Sequence, residues 1–188
     1  MTIHFSKHKK DILSKPDKSQ KGCMDAKIKT LCALINSHPD FVTLSSCSGR
    51  IAFLKLAKEN NKKLSSWLLI THDLAQVDAF QHALNTYQGK EPLYFKQEGA
   101  ILHVCTKTQQ TAEKLLTLAQ QAGFKHSGII ATGKKIVVEI RSAENLTAPI
   151  FDKKLLISGT YLQYLIMLAN SKLERTWQQI KKLETTFS

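Results

Sequence analysis

Apolar residues recur along the chain with two different periods, and the alternation of the two predicts most of its elements. Ile28, Leu31, Cys32 and Ile35 follow a helical i, i+3, i+4, i+7 spacing, with Asp25 at the start and Pro39 beyond the end. A carboxylate at that start suits the positive end of the helix dipole. Phe41–Ser45 and Ile51–Leu56 then read as strands joined by the small polar turn Ser46-Cys-Ser-Gly-Arg50. A Lys/Asn-rich loop, 58–63, leads to a third apolar strand, Trp67–Thr71, which ends at His72. Val77, Phe80, Leu84 and Tyr87 mark one face of a second helix, with Gly89 expected to end it.

The second half repeats this alternation. Leu93–Lys96 and Ile101–Cys105 read as a hairpin turned at Gln97-Glu-Gly99. A helix through Ala112, Leu115, Leu116, Ala119 and Ala122 stops at Gly123, and Ile129–Ala131 with Ile136–Ile140 reads as a second hairpin. Two strand–helix–hairpin units are thus visible. They share the strand 101–105 and no residue-level identity, so a duplication is only suggested. From about Thr160 a long helix is predicted, with Ser158 as N-cap. Its apolar stripe is Leu162, Leu165, Ile166, Ala169, Leu173, Trp177 and Ile180, and Lys172, Arg175, Lys181 and Lys182 stand off that stripe. The fold class expected is therefore mixed α/β of the α+β kind: a single domain over 21–188, ending in a long helix. No G-x-G-x-x-G follows a strand, so a Rossmann-type sheet has no support. Residues 1–20 are polar and lysine-rich and read as a basic, extended N-terminal arm.

Composition narrows the class. With 43% hydrophobic and 22% charged residues the chain should fold, and its 188 residues suit one filled domain. No stretch is apolar enough to span a bilayer, and the first ten residues lack the apolar core of a secretory signal, so a cytoplasmic location is expected. Cys23, Cys32, Cys47 and Cys105 form no CxxC pair. They are expected to be free thiols, and no metal site is expected. Lys and Arg number 27 against 15 Asp and Glu, a net charge of +12. Such an excess favours a polyanionic partner.

The segment least explained by packing is Ser45-Ser-Cys-Ser-Gly-Arg50. Its backbone N–H groups and the forked Arg50 cation could hold phosphate or carboxylate oxygens, although a simple Ser/Gly turn has the same composition. His72 and His103 lie on or beside apolar strands, where an imidazole could move a proton near neutral pH; a lone strand histidine is more often structural. The stretch Lys15–Asp25, with Asp17, Ser19 and Lys21, reads as a clamp over a phosphate or, on spacing alone, as a solvated tail. Glu139 and Arg141 share a strand face, and a simple cross-strand ion pair accounts for them.

Taken in order, these segments resemble the wybutosine-synthesis protein three family. The resemblance rests on Asp17, Ser19, Lys21, Gly22 and Asp25, on Ser45–Arg50, and on Trp67–His72. It continues through Ile101–Val104, Gly123-Phe124, Ser127–Ile129, Val137–Ser142, Tyr161 and Ala169-Asn170. The sequence departs from the family at Phe95-Lys-Gln-Glu98, where the family carries F-E-P, which puts the substrate pocket in question. The glycine that often precedes the tryptophan is also absent.

The resemblance implies a methyltransferase using S-adenosylmethionine on a ring nitrogen of a tricyclic wyosine-type guanosine beside the anticodon of tRNA(Phe). On that reading Ser45, Ser46 and Arg50 hold the donor's carboxylate or a phosphate, and Ser19 and Lys21 close over it. His103 or His72 contacts the base and takes or relays its proton. Arg141 and Arg50, with Asp17 and Asp25, meet the RNA. A non-catalytic basic tRNA-binding protein and a cysteine hydrolase using Cys47 are the alternatives.

Overall fold

The computed structural model describes residues 4–15, 24–56 and 65–187. In chain order the elements begin with α1 (Phe5–Leu13), α2 (Ala26–Ser37), β1 (Phe41–Cys47), β2 (Arg50–Lys55) and β3 (Ser66–Thr71). There follow α3 (Val77–Asn85), β4 (Leu93–Glu98), β5 (Ile101–Thr106), α4 (Gln109–Gln121), β6 (Gly128–Ala131) and β7 (Ile136–Arg141). β8 (Asn145–Asp152), β9 (Lys154–Leu155) and α5 (Gly159–Thr185) complete the chain. The fold is α+β with a long C-terminal helix, as the pattern predicted, and the strands of the described residues form two antiparallel sheets. Its residues group into two compact units. One comprises Met1–Ser48, Ala100–Ala143 and Thr176–Ser188, the other Gly49–Gly99 and Glu144–Arg175.

The first unit holds the four-stranded sheet β1-β5-β7-β6. Leu102 and Val104 of β5 and Val138 and Ile140 of β7 point to one face, because successive strand side chains alternate. On that face they share a core with Ile28, Leu31 and Ile35 of α2 and Ala112, Leu115 and Ala119 of α4. Burying each of the valine, leucine and isoleucine side chains contributes roughly 1.5–3 kcal/mol. Thr108 caps α4 reciprocally with Thr111, and Gly123, at φ +104°, ends it in a left-handed conformation that costs glycine little.

In the second unit the sheet order is β3-β2-β4-β8-β9. Phe53 and Phe95 stand opposite each other on β2 and β4, and Phe80 of α3 closes edge-on against Phe53 at 4.9 Å between ring centroids. Leu162, Leu165, Ile166, Ala169 and Leu173 of α5 are buried. Asn170 fixes the loop before α3 by accepting from the Ala75 N–H at 2.8 Å and donating to its carbonyl at 3.0 Å. Ser158 is the N-cap foreseen for α5, its Oγ accepting from the Tyr161 N–H.

Several expectations are corrected. Residues 93–98 and 101–106 are not a hairpin: β4 pairs with β2 and β8, whereas β5 pairs with β1 and β7. β1 and β2 likewise lie in different sheets, so Ser48-Gly49 is a crossing between units rather than a hairpin turn. Only β6 and β7 form the hairpin expected of them. α3 stops at Asn85, well before Gly89, where the Thr86 and Tyr87 amides close the last turn. Part of the supposed extended arm, Phe5–Leu13, is helical, and the stretch contains neither Gly nor Pro to prevent it. β8 escaped sequence reading because Pro149 interrupts it; β9 covers only Phe151 and Asp152, so Pro149 lies where the outer side of β8 carries no partner strand.

Candidate active site

In the first unit three polar side chains line up across three neighbouring strands. Ser45 of β1 is in register with His103 of β5, which is in register with Glu139 of β7. Ser45 Oγ lies 2.8 Å from His103 Nδ1, and Glu139 Oε2 lies 3.1 Å from His103 Nε2. His103 sits on the sheet face opposite Leu102 and Val104, half-buried, with Ser45 exposed beside it. The position of Ser45 depends on a bulge. Thr43 faces Val104, and the register then slips so that Ser45, rather than Leu44, meets His103. Strict alternation would have put Ser45 on the packed face with Phe41 and Thr43. An inserted residue re-aims it.

The neighbours of Ser45 have other tasks. Ser46 pairs with Leu102 on the packed side, where its hydroxyl bonds the buried Cys32 thiol. Burial pushes the thiols of Cys32 and Cys105 up, which makes both poor nucleophiles. Asp25, the N-cap residue of α2, accepts at Oδ2 from both the backbone N–H and the hydroxyl of Ser48, each at 3.1 Å. It therefore ties the start of α2 to the end of β1. Arg141 is exposed, and its backbone N–H donates to Ser127 Oγ. Glu139 bonds His103, so the expected Glu139–Arg141 ion pair gives way to a histidine contact.

In the second unit Arg50 opens β2 opposite Glu98 of β4. Its Nε donates to Glu98 Oε2 at 2.6 Å, and its guanidinium carbon lies 4.5 Å above the Trp67 ring. Lys96 donates to the other Glu98 oxygen at 2.9 Å. Burial alone would raise the Glu98 carboxyl, but the Lys96 hydrogen bond and the Arg50 cation hold it below the usual carboxylate value. The planar cation is thus fixed at its edge by a carboxylate and on one face by an aromatic ring. Gly49, just before it, has φ +99°, and a Cβ there would come within 2.9 Å of the Glu98 carbonyl oxygen. His72 Nδ1 lies 3.0 Å from the Gly49 carbonyl; a carbonyl only accepts, so Nδ1 carries the proton.

The structure brings Ser45 and His103 together in the first unit, and Arg50 and His72 to the same short segment of the second. Asp17, Ser19 and Lys21 lie outside the described residues. Sequence reading missed Glu139, Glu98 and Trp67 as partners. The apolar neighbours of His103 and the i, i+2 spacing of Glu139 from Arg141 signalled which faces they occupy, but not which strands would adjoin.

The antiparallel α+β fold carries a hydroxyl–imidazole–carboxylate row at a partly exposed sheet face. Residues 7–188 match the family described as Methyltransferase TYW3, and the chain belongs to that family of methyltransferases. It is 38% identical over 178 residues to "tRNA(Phe) 7-((3-amino-3-carboxypropyl)-4-demethylwyosine(37)-N(4))-methyltransferase" of Thermococcus sibiricus, covering 94% of this chain and 90% of that protein. It is 36% identical to "tRNA wybutosine-synthesizing protein 3 homolog" of Homo sapiens, covering 96% of this chain and 71% of that one. Among solved structures, "PH1069 protein from Pyrococcus horikoshii" superposes with a TM-score of 0.88 at 31% identity, over 98% of this chain and 96% of that one.

Proposed function

We propose that this methyltransferase carries a methyl group from S-adenosylmethionine to a ring nitrogen of a wyosine-type base beside the anticodon of tRNA(Phe), in the cytoplasm. The acceptor in the Thermococcus sibiricus relative is N4 of the base at position 37, and we assign the same acceptor here. The observation that carries the reading is the 2.8 Å contact between Ser45 Oγ and His103 Nδ1 at an accessible sheet face. The net charge of +12 matches a polyanionic RNA, and the exposed Arg141 is a candidate phosphate contact.

The residues present fit the donor's chemistry. Its amino-acid carboxylate needs a fixed cation, and Arg50 is such a cation, oriented by Glu98 and Trp67. Arg50 would hold that carboxylate or an RNA phosphate. Ser46 also bonds the Cys32 thiol, and Asp25 also accepts from Ser48. When bound, the donor supplies a methyl carbon activated by a positively charged sulfur. The protein's tasks are to align the acceptor nitrogen with that carbon and to remove the acceptor's proton. His103 takes the proton, and the Glu139 carboxylate beside it compensates the charge that the ring acquires.

The test is methyl transfer from labelled S-adenosylmethionine to tRNA(Phe) lacking the N4 methyl, with nucleoside mass spectrometry as readout. Label at N4 is the expected result. Donor binding by calorimetry without any transfer to this tRNA would remove the assigned acceptor; absence of donor binding would remove the assigned donor.

A further inference from the structure

Both nitrogens of His103 are occupied, and that decides which atom is left to meet the substrate. Glu139 Oε2 stands 3.1 Å from Nε2, and a carboxylate at neutral pH only accepts, so Nε2 carries the ring proton. Nδ1 is then a lone-pair nitrogen, and the Ser45 hydroxyl, 2.8 Å away, donates to it. The exposed end of the row is Ser45, whose hydroxyl oxygen can still accept while its proton is given to the imidazole.

Resting on the methyltransferase reading above, we propose that Ser45 Oγ is the atom that meets the ring nitrogen to be methylated, and that Glu139 is the positioning residue that sets the His103 tautomer for it. The acceptor's N–H proton passes to Ser45 Oγ while the hydroxyl's own proton passes to His103 Nδ1. The electron pair left on nitrogen closes the new bond to the methyl carbon. The carbon–sulfur pair goes to sulfur, which loses its positive charge as the imidazolium forms. Charge and protons balance with no further reactant. Glu139, already against the Nε2–H, stabilises that imidazolium without accepting its proton.

A cross-strand hydrogen-bond row could also serve only to hold the sheet together. Against that, Ser45 is exposed and reaches His103 only through the bulge after Thr43. A simple structural row would need neither feature.

The tautomer can be read on the protein alone, with neither donor nor tRNA, by nitrogen-15 NMR of the imidazoles. The expected result is His103 protonated at Nε2 in the wild type. Glu139→Gln, whose amide can donate to Nε2, should shift population to the Nδ1–H form. That variant and Ser45→Ala should each lower kcat roughly 100-fold, the usual range for a lost general base, with KM for tRNA changed less than about twofold. Glu139→Asp, which keeps the carboxylate, should recover part of the loss.

An Nδ1–H tautomer in the wild type would overturn the proposal. So would a Glu139→Gln protein with altered tautomer and unchanged kcat, or one that merely melts earlier with tautomer and kcat intact. If the wild type transfers no methyl to tRNA, the functional reading falls by itself. The NMR result still decides the assignment of Glu139.

Discussion

Arg50 and Trp67 form a cation–π pair, the guanidinium carbon 4.5 Å from the centroid of the indole ring while Nε is held by Glu98. A contact of this kind contributes about 0.5–2 kcal/mol, according to how far it is shielded from water. Arg50→Lys loses both the fork and the planar cation. It should raise KM for the donor or for tRNA about fivefold or more, with kcat held within about twofold. Trp67→Leu should show a smaller shift in the same direction. Steady-state kinetics on both substrates would show which of the two ligands Arg50 meets; unchanged KM values for both would take Arg50 out of the site.

Gly49→Ala should destabilise the protein. At φ +99° a side chain is strained by about 1–2 kcal/mol before any clash is counted. The added Cβ would also lie 2.7 Å from Leu173 Cδ1 and 2.9 Å from the Glu98 carbonyl oxygen. The leucine methyl can rotate away, but the backbone oxygen cannot. A loss of roughly 2–3 kcal/mol in urea unfolding is expected.

Acid should weaken the fold through two carboxylates. The Glu144 carboxyl is lowered mainly by its hydrogen bond from Arg175 and further by Lys172, and that of Glu98 is lowered despite burial. A folded value below the ordinary 4.5 means that the unfolded chain binds the proton more readily. The stabilisation is therefore complete above about pH 5 and is lost as pH falls through the depressed folded values. Glu98→Gln and Glu144→Gln should each be less stable than wild type at pH 7 and show a flatter decline below pH 5. Chemical denaturation at a series of pH values measures this; parallel curves would show that neither pair contributes.

His103→Gln should lower kcat roughly 100-fold and leave tRNA affinity within about twofold, since glutamine keeps hydrogen bonding but cannot accept a proton. Filter binding and single-turnover methylation separate the two effects. A parallel fall in affinity would make His103 a binding residue.

Much of the fold was legible in the residue pattern because burial is periodic. Ile28, Leu31, Cys32 and Ile35, and Ala112, Leu115 and Ala119, are buried where a 3.6 period put them. The Ser158 cap and the β6–β7 hairpin also followed from local chemistry. Strand pairing did not. Residues 93–98 and 101–106, close in sequence, belong to different sheets, and nothing local to them encodes that choice.

The sequence by itself determined most of the helices and strands between α2 and β7 and the long final helix, the basic charge, and the family to which Ser45–Arg50 and Ile101–Val104 pointed, because these rest on residue type and local spacing. Only the tertiary structure decided that Ser45, His103 and Glu139 share one row. Fifty-eight residues separate Ser45 from His103 and thirty-six separate His103 from Glu139, so their meeting depends on which strands pair. It depends also on the register slip after Thr43: a strand without that bulge would turn Ser45 into the packed face and set Leu44 against the imidazole.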